Sequence, residues 1–153
     1  MTIEARIKPA GIWYAGRGRI VTLSSDAKNR NMTLSQGLAE SQAAGVNDVR
    51  LRTELTGPNG LPALVTPPGT AKAALMHVVY TRDGSGAGCI YVNGALVAEG
   101  MAGGGLSNWD PGSRLALANE LTGDRPWLGE YYLVAVYSRS LTSSEVRQNF
   151  ELG

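Results

Sequence analysis

Eleven of the fourteen cationic residues in this chain are arginines, and two of them, Arg50 and Arg52, are spaced two apart in an alternating stretch. A guanidinium holds carboxylates and planar polar groups through two parallel hydrogen bonds, which an ammonium cannot do. Alternation over Val49–Leu55 puts Val49, Leu51 and Thr53 on one face and Arg50, Arg52 and Glu54 on the other. If that polar face is concave, it suits an acidic or hydroxylated ligand; otherwise it is a solvated surface. A second candidate is Asn108-Trp109-Asp110, an aromatic between two short polar side chains. Sugar rings stack their C–H faces on aromatics while such polar neighbours bond the hydroxyls.

Two groups of oxygen-bearing side chains could hold a hard cation such as calcium, which takes several oxygen ligands from loops. One is Ser25-Asp26 with Asn29 and Asn31, the other Asn119-Glu120 with Asp124. Neither has the spacing of a helix–loop–helix calcium site, and short polar residues in β-loops also serve to satisfy turn backbones. Paired carboxylates two residues apart on a strand, which glycoside hydrolysis would need, do not occur: Glu4, Glu54, Glu99, Glu120 and Glu130 each lack such a partner. The single histidine, His77, and the single cysteine, Cys89, fall on consecutive predicted strands and could face one another. No oxyanion-hole motif accompanies them, so a strand-end imidazole and a small buried thiol are expected. Gly84-x-Gly86-x-Gly88 joins strand to strand rather than strand to helix, so it reads as a hairpin and not a phosphate loop.

The elements that must position these residues are mostly strands. The chain has 153 residues, room for one domain with a real core. Ile3, Ala5 and Ile7 alternate with polar neighbours in Thr2–Lys8, and Arg19–Ser24 and Asn31–Gln36 read the same way, the last with Met32 and Leu34 inward. Gly57-Pro58-Asn59-Gly60 turns a long loop, Thr56–Thr70. His77–Arg82, Gly88–Val92 and Ala95–Gly100 follow, the last two joined by the hairpin pair Asn93-Gly94. A loop over Met101–Ser113 precedes Leu115–Ala118 and Tyr131–Tyr137. Nine or ten short strands suit a two-sheet sandwich. One helix is expected over Ser143–Glu151, with Thr142 and Glu145 forming a capping box. Leu141 and Val146 form its hydrophobic staple, and Val146 and Phe150 share its docking face.

Charge is balanced, 14 Lys+Arg against 13 Asp+Glu, and the cations are scattered, so a nucleic-acid partner is not expected. No apolar run is long enough to cross a membrane as a helix, and the first residues carry no signal-peptide pattern. One cysteine excludes a disulfide within the chain.

The motifs TIEARIKPA, RIVTLSSD, VRLRTE, HVVYTRDGSGAGCIYVNGALVAEG, LSNWD and TGDRPWLGEYYLVAVYSRSLTSSEVRQNF occur in an order that resembles the LamG-like jelly-roll domains of bacteria. That family lies within the concanavalin A-like lectin/glucanase superfamily. The resemblance covers residues 1–153 as one domain and implies an all-β fold: a two-sheet antiparallel jelly-roll sandwich with a short C-terminal helix. It also implies a non-catalytic module that binds carbohydrate or protein, an extracellular or cell-surface setting, and calcium as the one cofactor. Asp124-Arg125-Pro126-Trp127 could, like Asn108–Asp110, present an aromatic to a sugar, but by the family resemblance Trp127 would pack beneath a sheet and Arg125 would pair with an acid. Strand-forming sequence normally precedes the segment resembling TIEARIKPA, so an N-terminal strand is expected to be absent. The edge left open would be covered by a loop or paired in a homodimer.

Overall fold

A computed structural model describes residues 1–12, 17–37 and 45–153. Ten strands and one helix follow one another: β1 (Thr2–Pro9), β2 (Gly18–Ser24), β3 (Arg30–Gln36), β4 (Asn47–Leu51), β5 (Leu64–Val65), β6 (Met76–Arg82), β7 (Ala87–Val92), β8 (Ala95–Met101), β9 (Arg114–Leu117), β10 (Gly129–Tyr137) and α1 (Ser143–Leu152). They form two antiparallel five-stranded sheets, ordered β10-β1-β6-β7-β8 and β5-β4-β3-β2-β9. The fold is therefore the all-β jelly-roll sandwich with a C-terminal helix that the sequence leads one to expect.

The core follows from alternation. Ile3, Ala5 and Ile7 of β1, Val78 and Tyr80 of β6, and Ile90 and Val92 of β7 meet Val21, Met32, Leu34, Val49 and Leu51 of the other sheet. Two bulges in the second sheet decide which side chains leave this core. The pairing runs from Arg19 opposite Ser35 to Val21 opposite Leu34, so Ile20 is an extra residue. It then runs from Leu23 opposite Met32 to Ser24 opposite Arg30, so Asn31 is extra. An extra residue on one strand re-aims the side chains beyond it. Arg19 and Arg30 thereby join Thr22, Ser24, Thr33 and Ser35 on the outer face of the sheet.

The outer face of the first sheet is covered by α1. Thr142 caps the helix, accepting from Glu145 N–H, and Glu145 reaches back to the Thr142 N–H in the expected capping box. Val146 and Leu141 are buried against Val79 and Tyr91. Thr2 Oγ1 accepts from the Leu141 N–H and donates to the Arg139 carbonyl, both at 2.9 Å, which fixes the helix approach. At the tight turns, Asn93 (φ 50°) and Gly94 (φ 76°) adopt the left-handed pair that this hairpin requires.

β9 and β10 are the edge strands on one side of the sandwich. Leu115 and Leu117 lie opposite Leu23 and Val21, so they point inward, yet they are 58% and 45% exposed. Val136, opposite Ile3, is 56% exposed in the same way.

Candidate functional site

The polar face of the second sheet is built from small hydroxyl residues with arginines laid beside them. One row across the strands is Arg19, Ser35 and Asp48, a second Ala116, Thr22, Thr33 and Arg50, and a third Arg114, Ser24 and Arg30. Thr and Ser at the centre leave room for long side chains to lie flat. Two carboxylates of the described residues reach this face. Asp48 Oδ2 accepts from Arg17 Nε at 2.7 Å and lies 3.6 Å from Arg50 Nε. Glu120, from the loop after β9, accepts from Arg19 Nε at 3.1 Å and from the Ser24 hydroxyl. Arg19 also donates to Ser35 Oγ at 3.0 Å, and Arg50 to Asn59 Oδ1 at 2.7 Å.

Arg30 has no carboxylate partner among the described residues. It is 1% exposed, and its Nη2 donates to the Ala27 carbonyl while Nε and Nη1 have no hydrogen-bond partner. Burial, then the neighbouring charges of Arg19 and Arg50, push its guanidinium down to about 9. Burial likewise lowers Arg19 and raises Asp48, in the latter case against the pull of Arg17, Arg50 and Arg19. Desolvation disfavours the charged form of each. Thr33 Oγ1 and Asp48 Oδ1 are also buried without a partner. These buried groups leave part of their hydrogen-bonding capacity unused within the described residues.

Sequence reasoning named Arg50 and missed Arg19, Arg30 and Asp48. Arg50 lies on this face; the strand ends at Leu51, before Arg52, a correction to the expected strand over Val49–Leu55. β4 stops at Leu51 because Thr53 and Thr56 tie a turn: Thr56 Oγ1 accepts from Thr53 N–H at 2.7 Å and donates to the Leu51 carbonyl at 2.9 Å. Arg52 N–H donates to the Asn31 carbonyl, and exposed Glu54 accepts from Gly105 N–H and the Ser107 hydroxyl. Such local side-chain bonds offer the backbone an alternative to the ladder.

The Asn108–Asp110 segment is tied inward. Asn108 Nδ2 donates to the Thr53 carbonyl at 2.7 Å, and half-buried Trp109 packs on the core while its indole N–H donates to the Arg52 carbonyl at 2.8 Å. Asp110 exchanges two bonds with Asn31: its N–H donates to Asn31 Oδ1 and its carbonyl accepts from Asn31 Nδ2. The bulge residue of β3 thus anchors this loop.

The oxygens proposed for calcium have other partners. Asp26 accepts from the Lys28 and Asn29 N–H groups and from Asn29 Nδ2, which holds its carboxyl below the usual range. Asn119 Oδ1 accepts from the Glu120 and Arg125 N–H groups, Glu120 faces Arg19, and Asp124 accepts from Thr122. For Asp26, Asn119 and Asp124 these are turn-satisfying roles, and Glu120 is an ion-pair partner.

Trp127 packs beneath the sheets, 2% exposed, its indole N–H donating to Gln36 Oε1 at 2.8 Å, and Arg125 lies 3.7 Å from Asp124. His77 does not face Cys89: Cys89 lies opposite Thr81, and His77 Nε2 lies 2.7 Å from Glu4 Oε1. Between the sheets near β5 and β8 there is a cavity of about 210 Å³ bounded by Val49, Leu51, Leu64, Tyr80 and Met101. Burial pushes the Tyr80 phenol up to about 12, and the walls are mainly apolar.

A two-sheet antiparallel sandwich with one helix-covered face and one polar face is a jelly-roll fold. The chain belongs to the Laminin_G_3 family of the concanavalin A-like lectin/glucanases superfamily, whose sequence profile matches residues 1–147. Among solved structures, the CBM40 of the Ruminococcus gnavus IT-sialidase bound to α2,3-sialyllactose is similar to it, with a TM-score of 0.74 and 18% identity over 97% of this chain and 81% of that one. A SAP-like pentraxin from Limulus polyphemus gives a TM-score of 0.70 at 17% identity, over 95% of this chain and 67% of that one. A Bacteroides ovatus protein provisionally described as carbohydrate-binding gives 0.69 at 23% identity, over 96% of this chain. The chain spans 39% of that Bacteroides protein. Curated protein sequences give no match.

Proposed function

We propose that this protein is a non-catalytic, lectin-like module that binds carbohydrate on the outer face of the β5-β4-β3-β2-β9 sheet, in an extracellular or cell-surface setting. The observation that carries the reading is the row structure of that face. Arg19, Arg30 and Arg50 surround Thr22, Thr33 and Ser35 on a regular sheet, the polar array that orients a hydroxyl-rich ligand. The family and the carbohydrate-binding structures that share the fold support it; fold alone would not. Both carboxylates on the face, Asp48 and Glu120, are held by arginines, which suits orientation of a ligand rather than proton transfer. A glycan array, run in calcium and again in EGTA, tests the reading. Hits are expected, calcium dependence would add a metal to it, and a blank array in both conditions would overturn it.

A second reading is favoured by one feature, the exposed inward-facing Leu115, Leu117 and Val136 on the open edges β9 and β10. Unpaired edges with apolar residues are templates for another strand. The module would then also pair with a second copy of itself there. Sedimentation at rising concentration is expected to show a dimer; a monomer throughout would remove this reading.

A further inference from the structure

We propose that the cavity between the two sheets is a second binding site, separate from the polar face, for a small neutral aromatic molecule that carries one hydrogen-bond acceptor.

The cavity lies where both sheets end. β5 and β8 are the edge strands of their sheets on this side, and the space of about 210 Å³ runs inward between them. Tyr80, Val49 and Leu51 line its buried end, whereas Pro62, Gly100 and Met101 are exposed, so the cavity opens to solvent between the two edges.

Two glycines make the space. Gly88 of β7 and Gly100 of β8 are register partners, and Gly88 shares the inward face of Ile90 two residues on. A Cβ on Gly88 would stand 3.0 Å from Tyr80 Oη, and one on Gly100 would stand 3.1 Å from Leu64 Cδ1. Glycine inside a strand weakens it and marks a place where another group approaches the backbone closely. Here two of them face each other beside a cavity.

The lining sets the ligand's chemistry. No charged side chain lines the cavity among the described residues, so an ion would lose its hydration with no partner in exchange. The Tyr80 hydroxyl is the one side-chain oxygen of the lining, and it bonds to no described residue. Burial pushes the phenol up to about 12, so it stays protonated at neutral pH and has a proton to donate. An apolar cavity of about 150 Å³ holds benzene; the larger space here takes a ring with a short substituent. The Tyr80 ring and the Met101 thioether both make favourable contacts with an aromatic. A rigid ring also loses less freedom on entry than a flexible chain of the same volume.

The test is titration of the full chain with acetophenone and with α-methylstyrene, which has the same shape with a CH₂ in place of the carbonyl oxygen. Binding is followed by the methyl resonances. Saturable shifts are expected at Val49, Leu51, Leu64 and Met101, with acetophenone about fivefold tighter, the effect of one neutral hydrogen bond. Tyr80→Phe is expected to abolish that preference. Tyr132→Phe, which deletes an exposed hydroxyl on β10, is expected to keep it. If Tyr80→Phe does not fold, the shift map and the affinity ratio of the unaltered protein decide. No saturable shift, shifts centred elsewhere, equal affinities or a preference that survives Tyr80→Phe would each overturn the inference. None of these outcomes bears on the carbohydrate reading, which concerns the outer face and has its own test.

Discussion

The two outer faces of the sandwich both carry a buried ionisable group on a central strand, and they treat it in opposite ways. On the helix-covered face, Glu4 is saturated: its oxygens contact His77 Nε2 at 2.7 Å, Tyr137 Oη at 2.7 Å and Asn149 Nδ2 at 3.1 Å and 3.3 Å. Phe150 stacks on the His77 ring and Val146 closes the remaining space. On the polar face, Arg30 keeps two nitrogens without a hydrogen-bond partner, and no helix of the described residues packs on the sheet. A fully bonded buried carboxylate rigidifies a fold and an unbonded guanidinium costs stability, although His77 Nδ1 on the helix-covered face also lacks a partner. The difference is between a face whose central carboxylate is fully bonded and one whose central guanidinium is not.

Substitutions on each face can break or sharpen this contrast. Glu4→Ala should have the largest effect, because it strands His77, Tyr137 and Asn149 together; a loss of roughly 3–5 kcal/mol in urea unfolding is expected. Val146→Ala should cost roughly 1–3 kcal/mol by opening a cavity beneath the helix, read in the same experiment. Arg30→Met should move the other way, raising stability by about 1 kcal/mol and the melting midpoint by a few degrees, since it removes a buried charge without a carboxylate partner. A midpoint that falls sharply would mean that Arg30 is a structural tie like Glu4. Thr142→Ala should cost about 1 kcal/mol through the lost N-cap.

The smallest effect is a pH dependence. The Thr142 N–H and hydroxyl hold the Glu145 carboxyl below its usual range. Its folded value is below its unfolded one, so its contribution is full above the unfolded value and is lost as pH falls through the folded one. The melting midpoint should drop slightly below about pH 4, and the Glu145→Gln variant should show less of that drop.

Much of the frame is legible in the sequence, because alternation and capping are local. Thr142, Glu145, Leu141 and Val146 state the helix start in order, and Asn93-Gly94 states its hairpin. Trp127 beneath the sheets follows from the family motif. The polar face was only half legible. Thr22, Ser24, Thr33 and Ser35 do alternate with apolar residues, and that run of small hydroxyls on neighbouring strands is a signal of a face meant to receive long side chains. Arg30 was hidden because its place depends on one extra residue, Asn31, which re-aims its side chain out of the core parity. Asp48 was hidden because its arginine partners come from other segments of the chain, and Glu120, expected as a cation ligand, instead accepts from Arg19 and the Ser24 hydroxyl. Arg52 misled because a threonine turn outcompetes the ladder just where alternation predicts more strand.

The central claim is that the polar sheet face, and not the helix face or the Asn108–Asp110 loop, receives carbohydrate. Amide and arginine side-chain resonances followed by NMR during titration with 3′-sialyllactose test it most directly. Shifts are expected in Thr22, Thr33, Ser35 and Arg30 across β2 and β3, with β1, β6 and α1 silent. Shifts confined to the helix face or to the Asn108–Asp110 loop would contradict it.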